Sequence, residues 1–235
     1  MILRSLAVLL FTLLAPLAAD EAPAHPLLIV EVRVAKPQAG LAEDLVLRAR
    51  AMAGVVNAGV TRERPDLGRP ATSRRRPATV QCSTEGPNPR SMRVTPFTVS
   101  PELLAIEGIQ IERGRLSSAR DNKESSLIVL IERSVAESLW PGKNPLGQRL
   151  TFGSSRNAPL SRLFAVVGIV MNGRRAGLLR GDQPMVFLTF AQAPPPERFF
   201  LVVRTVLEPE AESRRIVARV CGYGADLLCR PVPQS

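Results

Sequence analysis

LLIVEVRV at residues 27–34 alternates its side chains, and LAEDLVLRARAMAGVVNAGV at 41–60 continues with helical and then strand-like spacing. Leu28, Val30, Val32 and Val34 share one face of the first segment and Glu31 and Arg33 the other, the mark of a half-buried strand. After Pro37, Leu41, Leu45, Ala49 and Met52 recur at helical spacing, and Gly54 is a natural stop. Val55 to Val60 then reads as a second strand. This is a strand–helix–strand unit with a short exit loop.

The far end repeats the pattern. Phe199 to Val206 reads as a strand, and Pro209 opens a helix with Glu210 and Glu212 in its first turn. Arg214, Arg215 and Arg219 fall later, a charge order that suits the helix dipole. Leu227 to Val232 closes the unit as a short strand. Two such halves at opposite ends of a chain predict an α+β protein built on a split, ferredoxin-like layer. Residues 26–94 and 197–235 are assigned to this α/β lobe, with 95–196 an inserted, mostly β lobe. Apolar runs at 127–131, 163–170 and 185–190 supply its strands. Its helix, residues 132–139, is cut off by Trp140-Pro141-Gly142, and Pro194-Pro195-Pro196 stiffens the return.

Aromatics make up 4% of the 235 residues against 45% apolar, so the core must be aliphatic. The formal net charge is +10, but only three of the 31 basic residues are lysines (Lys36, Lys123, Lys143) and the arginines are scattered. Seven of them gather between Arg62 and Arg90 with five prolines and no aromatic, which reads as a loop. Nucleic-acid readers interleave aromatics for stacking, so no nucleic-acid partner is expected.

Residues 1–19 have the order of a secretory signal peptide: a basic tip at Arg4, an apolar run from Leu6 to Leu14, and small residues up to Ala19. The run is short for a transmembrane helix, which needs roughly 20 apolar residues. Cleavage is expected near Ala19, with Ala22-Pro23-Ala24 a second candidate; an uncleaved leader would tether the protein to the inner membrane. Export from the cytoplasm makes disulfides accessible. Cys221 and Cys229 flank Gly222-Tyr223-Gly224, a turn that lets them meet, leaving Cys82 unpaired.

Nothing suggests a catalyst. No GxxxxGK[ST] or GxSxG motif is present, and the one histidine, His25, lies in the start of the mature chain. One histidine and these cysteines do not make a zinc site, and no cofactor is expected. Glu132 and Glu137, five apart, do not stack on one helix face and are expected to be solvated surface charges. The constrained residues are of another kind. GIQIERGR (108–115) places Gly108 and Gly114 at a strand-to-turn bend, where glycine permits positive φ, and Asp121 is positioned to pair with Arg115 and brace it. WPGKNPLGQRL (140–150) ends a helix and makes two turns through Trp140, Pro141, Pro145 and Gly147, with Trp140 covering a core edge or anchoring a partner.

Five segments in this order resemble the MacB-like periplasmic core domain of bacterial ABC transporter permeases of the FtsX/MacB type. They are VTPFTVSPELLAIEGIQIERGR (94–115) with Asp121, LIVLIERSVAESLWPGKNPLGQRL (127–150) and FAVVGIVMNGRRAGL (164–178), which holds Gly168. QPMVFLTFAQ (183–192) and FFLVVRTVLEP (199–209), which holds Arg204, complete the set. The resemblance implies a porter-like α/β lobe with an inserted β lobe, no catalytic residues, and a role coupling membrane motions to substrates or partner proteins. The chain departs from the family pattern at Ile131, Asn172 and Phe187, where an asparagine, an aspartate and a tyrosine are usual.

The later transmembrane helices and an ATPase domain are not expected, which suits a stand-alone, exported, non-enzymatic interaction module accessory to a transport or efflux complex. Its expected partner is an ABC permease–ATPase complex or another envelope protein, with peripheral or N-terminally tethered membrane association. Two other readings stay open: a non-functional permease gene remnant, and an envelope binding protein that takes an anionic ligand on Arg62 to Arg90.

Overall fold

Alternation in the end segments decides which strands lie in a flat layer, and the computed structural model shows that layer beside a closed ring of strands. The structure describes residues 26–66, 78–153, 162–171, 179, 183–194, 196–222 and 226–233. Among them the strands are β1 (Leu27–Val34), β2 (Val55–Thr61), β3 (Val80–Thr84), β4 (Ser91–Val99), β5 (Ile111–Gly114) and β6 (Ile128–Glu132). β7 (Arg149–Phe152), β8 (Leu163–Val170), β9 (Met185–Thr189), β10 (Arg198–Thr205) and β11 (Leu227–Pro231) follow. The helices are α1 (Leu41–Arg50), α2 (Pro101–Ile106), α3 (Arg133–Leu139) and α4 (Pro209–Cys221).

The layer has the order β11-β1-β10-β2, all antiparallel. This is the split arrangement expected from the two end units: each helix crosses over one strand, so the halves interleave. Leu45 and Ala49 of α1 and Ile216 and Val220 of α4 pack on Val30, Val32, Leu201 and Val203, all essentially buried. Each such aliphatic side chain stabilises by about 1.5–3 kcal/mol relative to exposure. Cys221 at the end of α4 is joined to Cys229 of β11 by a disulfide, with Cα atoms 6.2 Å apart.

The opposite face of the layer is buried as well. Ile29, Phe200 and Val202 meet Leu103, Leu104 and Ile106 of α2 and the residues Phe97, Leu130 and Phe187. Gly59 makes this close approach possible: a Cβ there would lie 2.5 Å from the Leu103 backbone nitrogen.

The remaining strands close on themselves. β4 pairs β3, β3 pairs β7, β7 pairs β8, β8 pairs β6, β6 pairs β9, and β9 returns to β4. The result is a six-stranded ring in which β4–β9 and β6–β8 are parallel and the rest antiparallel. Closure leaves no free edge within the ring. One face of every ring strand feeds a single cluster that includes Cys82, Val94, Val129, Leu150, Val166 and Val186, to which α3 adds Val135 and Leu139. β5 pairs β8 from outside the circuit. Among the described residues layer and ring are joined through one strand pair, Thr61 opposite Val99. Beside that joint the Glu63 carboxylate accepts the Thr98 N–H at 2.8 Å, and burial pushes its pKa up.

The expected lobe boundary at 94/95 falls inside β4, because β3 and β4 pair with ring strands. Much of the arginine-rich loop (residues 67–77), the leader with His25, and Asn172 lie outside the described residues. Glu132 corrects an expectation. Instead of a solvated charge it is 5% exposed, and its Oε2 accepts the N–H of Met185 at 2.8 Å. It ends β6 rather than opening α3, so its side chain ties down the first residue of β9. Glu137 is exposed.

Candidate functional site

The bend after β5 is built from a contact that only glycine allows. Gly114 has φ +84°, and a Cβ there would sit 2.2 Å from the Val167 carbonyl oxygen and 2.9 Å from the Gly168 Cα. The chain is pressed against β8 where the β6–β8 register shifts between Val129 and Leu130. The Arg115 N–H donates to the same Val167 carbonyl, 3.0 Å away. Gly168 is equally crowded, with the Arg115 carbonyl 2.5 Å from its would-be Cβ.

Arg115 and Asp121 then lock the outgoing loop. The guanidinium donates Nη1 to Oδ2 at 2.6 Å and Nη2 to Oδ1 at 2.8 Å, a two-pronged, charge-assisted pair. The N–H of Ser118 donates to Oδ2 at 2.8 Å and its hydroxyl to the same atom at 3.1 Å. Asp121 is 4% exposed. The Arg115 hydrogen bonds hold its carboxyl down to about 2 against the opposing effect of burial, with Ser118 assisting, and the Asp121 carboxylate raises Arg115 in return.

Next to this brace the Trp140 turn folds back on the ring. Trp140 is 8% exposed and sits in the ring cluster, covering the edge of the core beside Leu139. Its carbonyl accepts the Lys143 N–H, Pro145 accepts that of Gln148, and the Gly147 N–H donates to the Val166 carbonyl at 2.8 Å. Pro141 is exposed and Pro145 buried. Arg113 donates Nη2 to Asn144 Oδ1 at 2.9 Å, which joins the bend to the turn. Between β5, α3 and this turn lies a cleft of about 420 Å³.

The structure thus brings Gly114, Arg115, Asp121, Gly168, Trp140, Pro141, Pro145 and Gly147 into one neighbourhood of the ring. The other singled-out residues lie elsewhere. Gly108 (φ +67°) ends α2. Arg204 on β10 donates to the Ile106 carbonyl at 2.6 Å and ties α2 to the layer, and the Cys221–Cys229 pair clips the layer's edge strand. Sequence reading missed Glu112, Arg113 and Arg133 as cleft residues. Only the register of β5 on β8 places Glu112 and Arg113 beside Arg133 of α3, and no spacing along the chain signals that.

Cys82 is buried in the ring, its thiol pushed up to about 11 by burial, which makes it a poor nucleophile. Among the described residues no group of three His, Cys, Asp or Glu could hold a metal ion, and no helix is long and apolar enough to cross a membrane.

Comparison with known proteins agrees with this geometry. Residues 27–220 match the MacB-like periplasmic core domain. The macrolide export ATP-binding/permease protein MacB of Aggregatibacter actinomycetemcomitans is 25% identical over 81 residues, which are 34% of this chain and 12% of that relative. The chain therefore spans only a small part of the length of such relatives. Among solved structures, a permease-protein domain from Porphyromonas gingivalis superposes with TM-score 0.58 at 16% identity, covering 89% of this chain and 91% of that one. The periplasmic region of MacB from Actinobacillus actinomycetemcomitans does so with TM-score 0.53 at 10% identity, covering 86% and 87%. At these identities the structural likeness is one of fold, a mixed sheet with a few helices of the α+β class. With the match running from β1 to the last turn of α4, this chain belongs to the MacB-like periplasmic core domain family.

Proposed function

We propose that the protein is a non-enzymatic module of the periplasm that serves an ABC transport or efflux complex as an accessory interaction domain. The observation that carries this reading is the family match over residues 27–220, which takes in the layer and the ring alike. The geometry suits a part that passes force or holds a partner. The layer is buried on both faces, its second face packing on α2 and on the outer side of ring strands through Phe97, Leu130 and Phe187, so neither region moves without repacking a shared core. We read the layer as the porter-like lobe and the ring as the inserted one. Residues 1–19 act as a leader in this scheme, and their removal would leave a soluble subunit where their retention would leave a tethered one.

Capture of the tagged protein from crosslinked envelopes of its own host tests the proposal, with the bait's first residue read in the same sample. Recovery of an ABC permease or its ATPase is the expected result. A bait starting near Asp20 identifies the soluble form, and one starting at Met1 the tethered form. Recovery with no transporter component would overturn the accessory role.

A further inference from the structure

We propose that the cleft beside Trp140 binds an amphipathic carboxylate: an apolar body that ends in a negative charge. The inference is independent of the transport reading and stands or falls on the purified protein. Trp140 and Ile169 line the cleft, are 8% and 3% exposed, and with Ala136 and Pro145 make an apolar floor. The rim is charged. Arg113, Arg133 and Lys143 face it against Glu112 and Glu137. Glu112 is already engaged by Arg133, with Nε to Oε2 at 2.7 Å. Arg113 is held by the neutral amide of Asn144, so its guanidinium is fixed in place without its charge being neutralised by that contact. Arg113 and Lys143 therefore outweigh Glu137 above an apolar floor, and a volume of about 420 Å³ takes a short apolar chain rather than a bare ion. A positioned guanidinium is suited to two-pronged recognition of a carboxylate.

Two sources carry that chemistry, a peptide C-terminus and a fatty acid. Because Trp140 is the protein's one tryptophan, its emission reports on the cleft and on the ring core beneath it. The full chain would be titrated with an N-acetylated apolar tripeptide and with decanoate, each beside its neutral counterpart, the tripeptide amide and decanol. The expected result is a saturable emission change with one of the two carboxylates, which identifies the source. The neutral counterpart and the R113A/K143A protein should each bind at least about tenfold more weakly, the usual scale for a charged hydrogen bond. Both substitutions are at exposed positions, so an unchanged thermal melt will show that the variant is folded. No response to either carboxylate would overturn the proposal. Equal binding of acid and neutral analogue, or wild-type affinity in the folded double variant, would do the same.

Discussion

The layer and the ring solve the same problem, burying aliphatic strands, in opposite ways. In the layer each strand is seven or eight residues long except β11, helices cover one face, and the pairing partners come from the two ends of the chain. In the ring the strands are mostly four or five residues long, closure does most of the covering with α3 added, and at Gly114 and Gly168 the bend after β5 presses backbone to backbone on β8. A layer of this kind tolerates local adjustment, because helices can shift on a sheet. A small closed ring has no such freedom: a change at one strand must be absorbed around the whole circuit. Substitutions that add volume should therefore cost more in the ring than comparable damage in the layer.

Gly114→Val tests that contrast most severely. The substitution imposes positive φ on a β-branched residue and drives a Cβ into the Val167 carbonyl. A loss of more than about 3 kcal/mol is expected from strain and overpacking together, read as a drop in the denaturant midpoint. A midpoint within error of wild type would mean that the β5–β8 contact yields to added volume and that the ring is not rigid there. The matching experiment in the layer removes a clip instead of adding an obstacle. Cys221→Ser with Cys229→Ser opens the eight-residue loop between α4 and β11 and should cost about 2–3 kcal/mol by loop entropy. Calorimetry of the double variant should still show one transition, because layer and ring share a core. Two separated transitions would show that they unfold independently.

The contrast also explains what the sequence revealed. Strands and helices of the layer were legible because alternation in LLIVEVRV and helical spacing after Pro37 are local signals, and the strand order follows from two interleaved units. Within the ring, β6, β8 and β9 were legible as apolar runs, but β3, β4 and β7 were not; β5, outside the circuit, was legible only as the lead-in to the bend at Gly114. SMRVTPFTV alternates at its start but carries Pro96, which argues against a central strand, and its Thr95 and Thr98 are buried. Glu132 shows the limit most clearly. A carboxylate beside an apolar run looks solvated until a distant strand delivers the Met185 N–H to it. At the candidate site the glycines and the Arg115–Asp121 pair were readable, since turns and six-residue separations are local. The cleft was not, because Glu112 and Arg133 meet only through the β5–β8 register.

The smallest expected effect sharpens the comparison within the ring, by asking whether its outer loop is held electrostatically. Asp121 has its pKa lowered from 3.8 to about 2, chiefly by the Arg115 hydrogen bonds. A carboxyl whose folded pKa is depressed contributes stability that is fully present above its unfolded value and lost as pH falls through the folded one. The contribution should be nearly intact above about pH 4, fall away as pH drops to about 2 and vanish below that, and a shift of this size corresponds to about 2 kcal/mol. Other carboxylates titrate in the same window, so the quantity to measure is the difference between wild type and Asp121→Asn. At pH 7 the variant should be less stable by up to about 2 kcal/mol. That gap should narrow as pH falls through about 2, where the wild-type aspartate is half protonated, and approach zero below it. A gap that stays constant with pH would mean that Asp121 braces the bend by shape and neutral hydrogen bonds alone. In that case the ring's rigidity rests entirely on the glycine contacts beneath it.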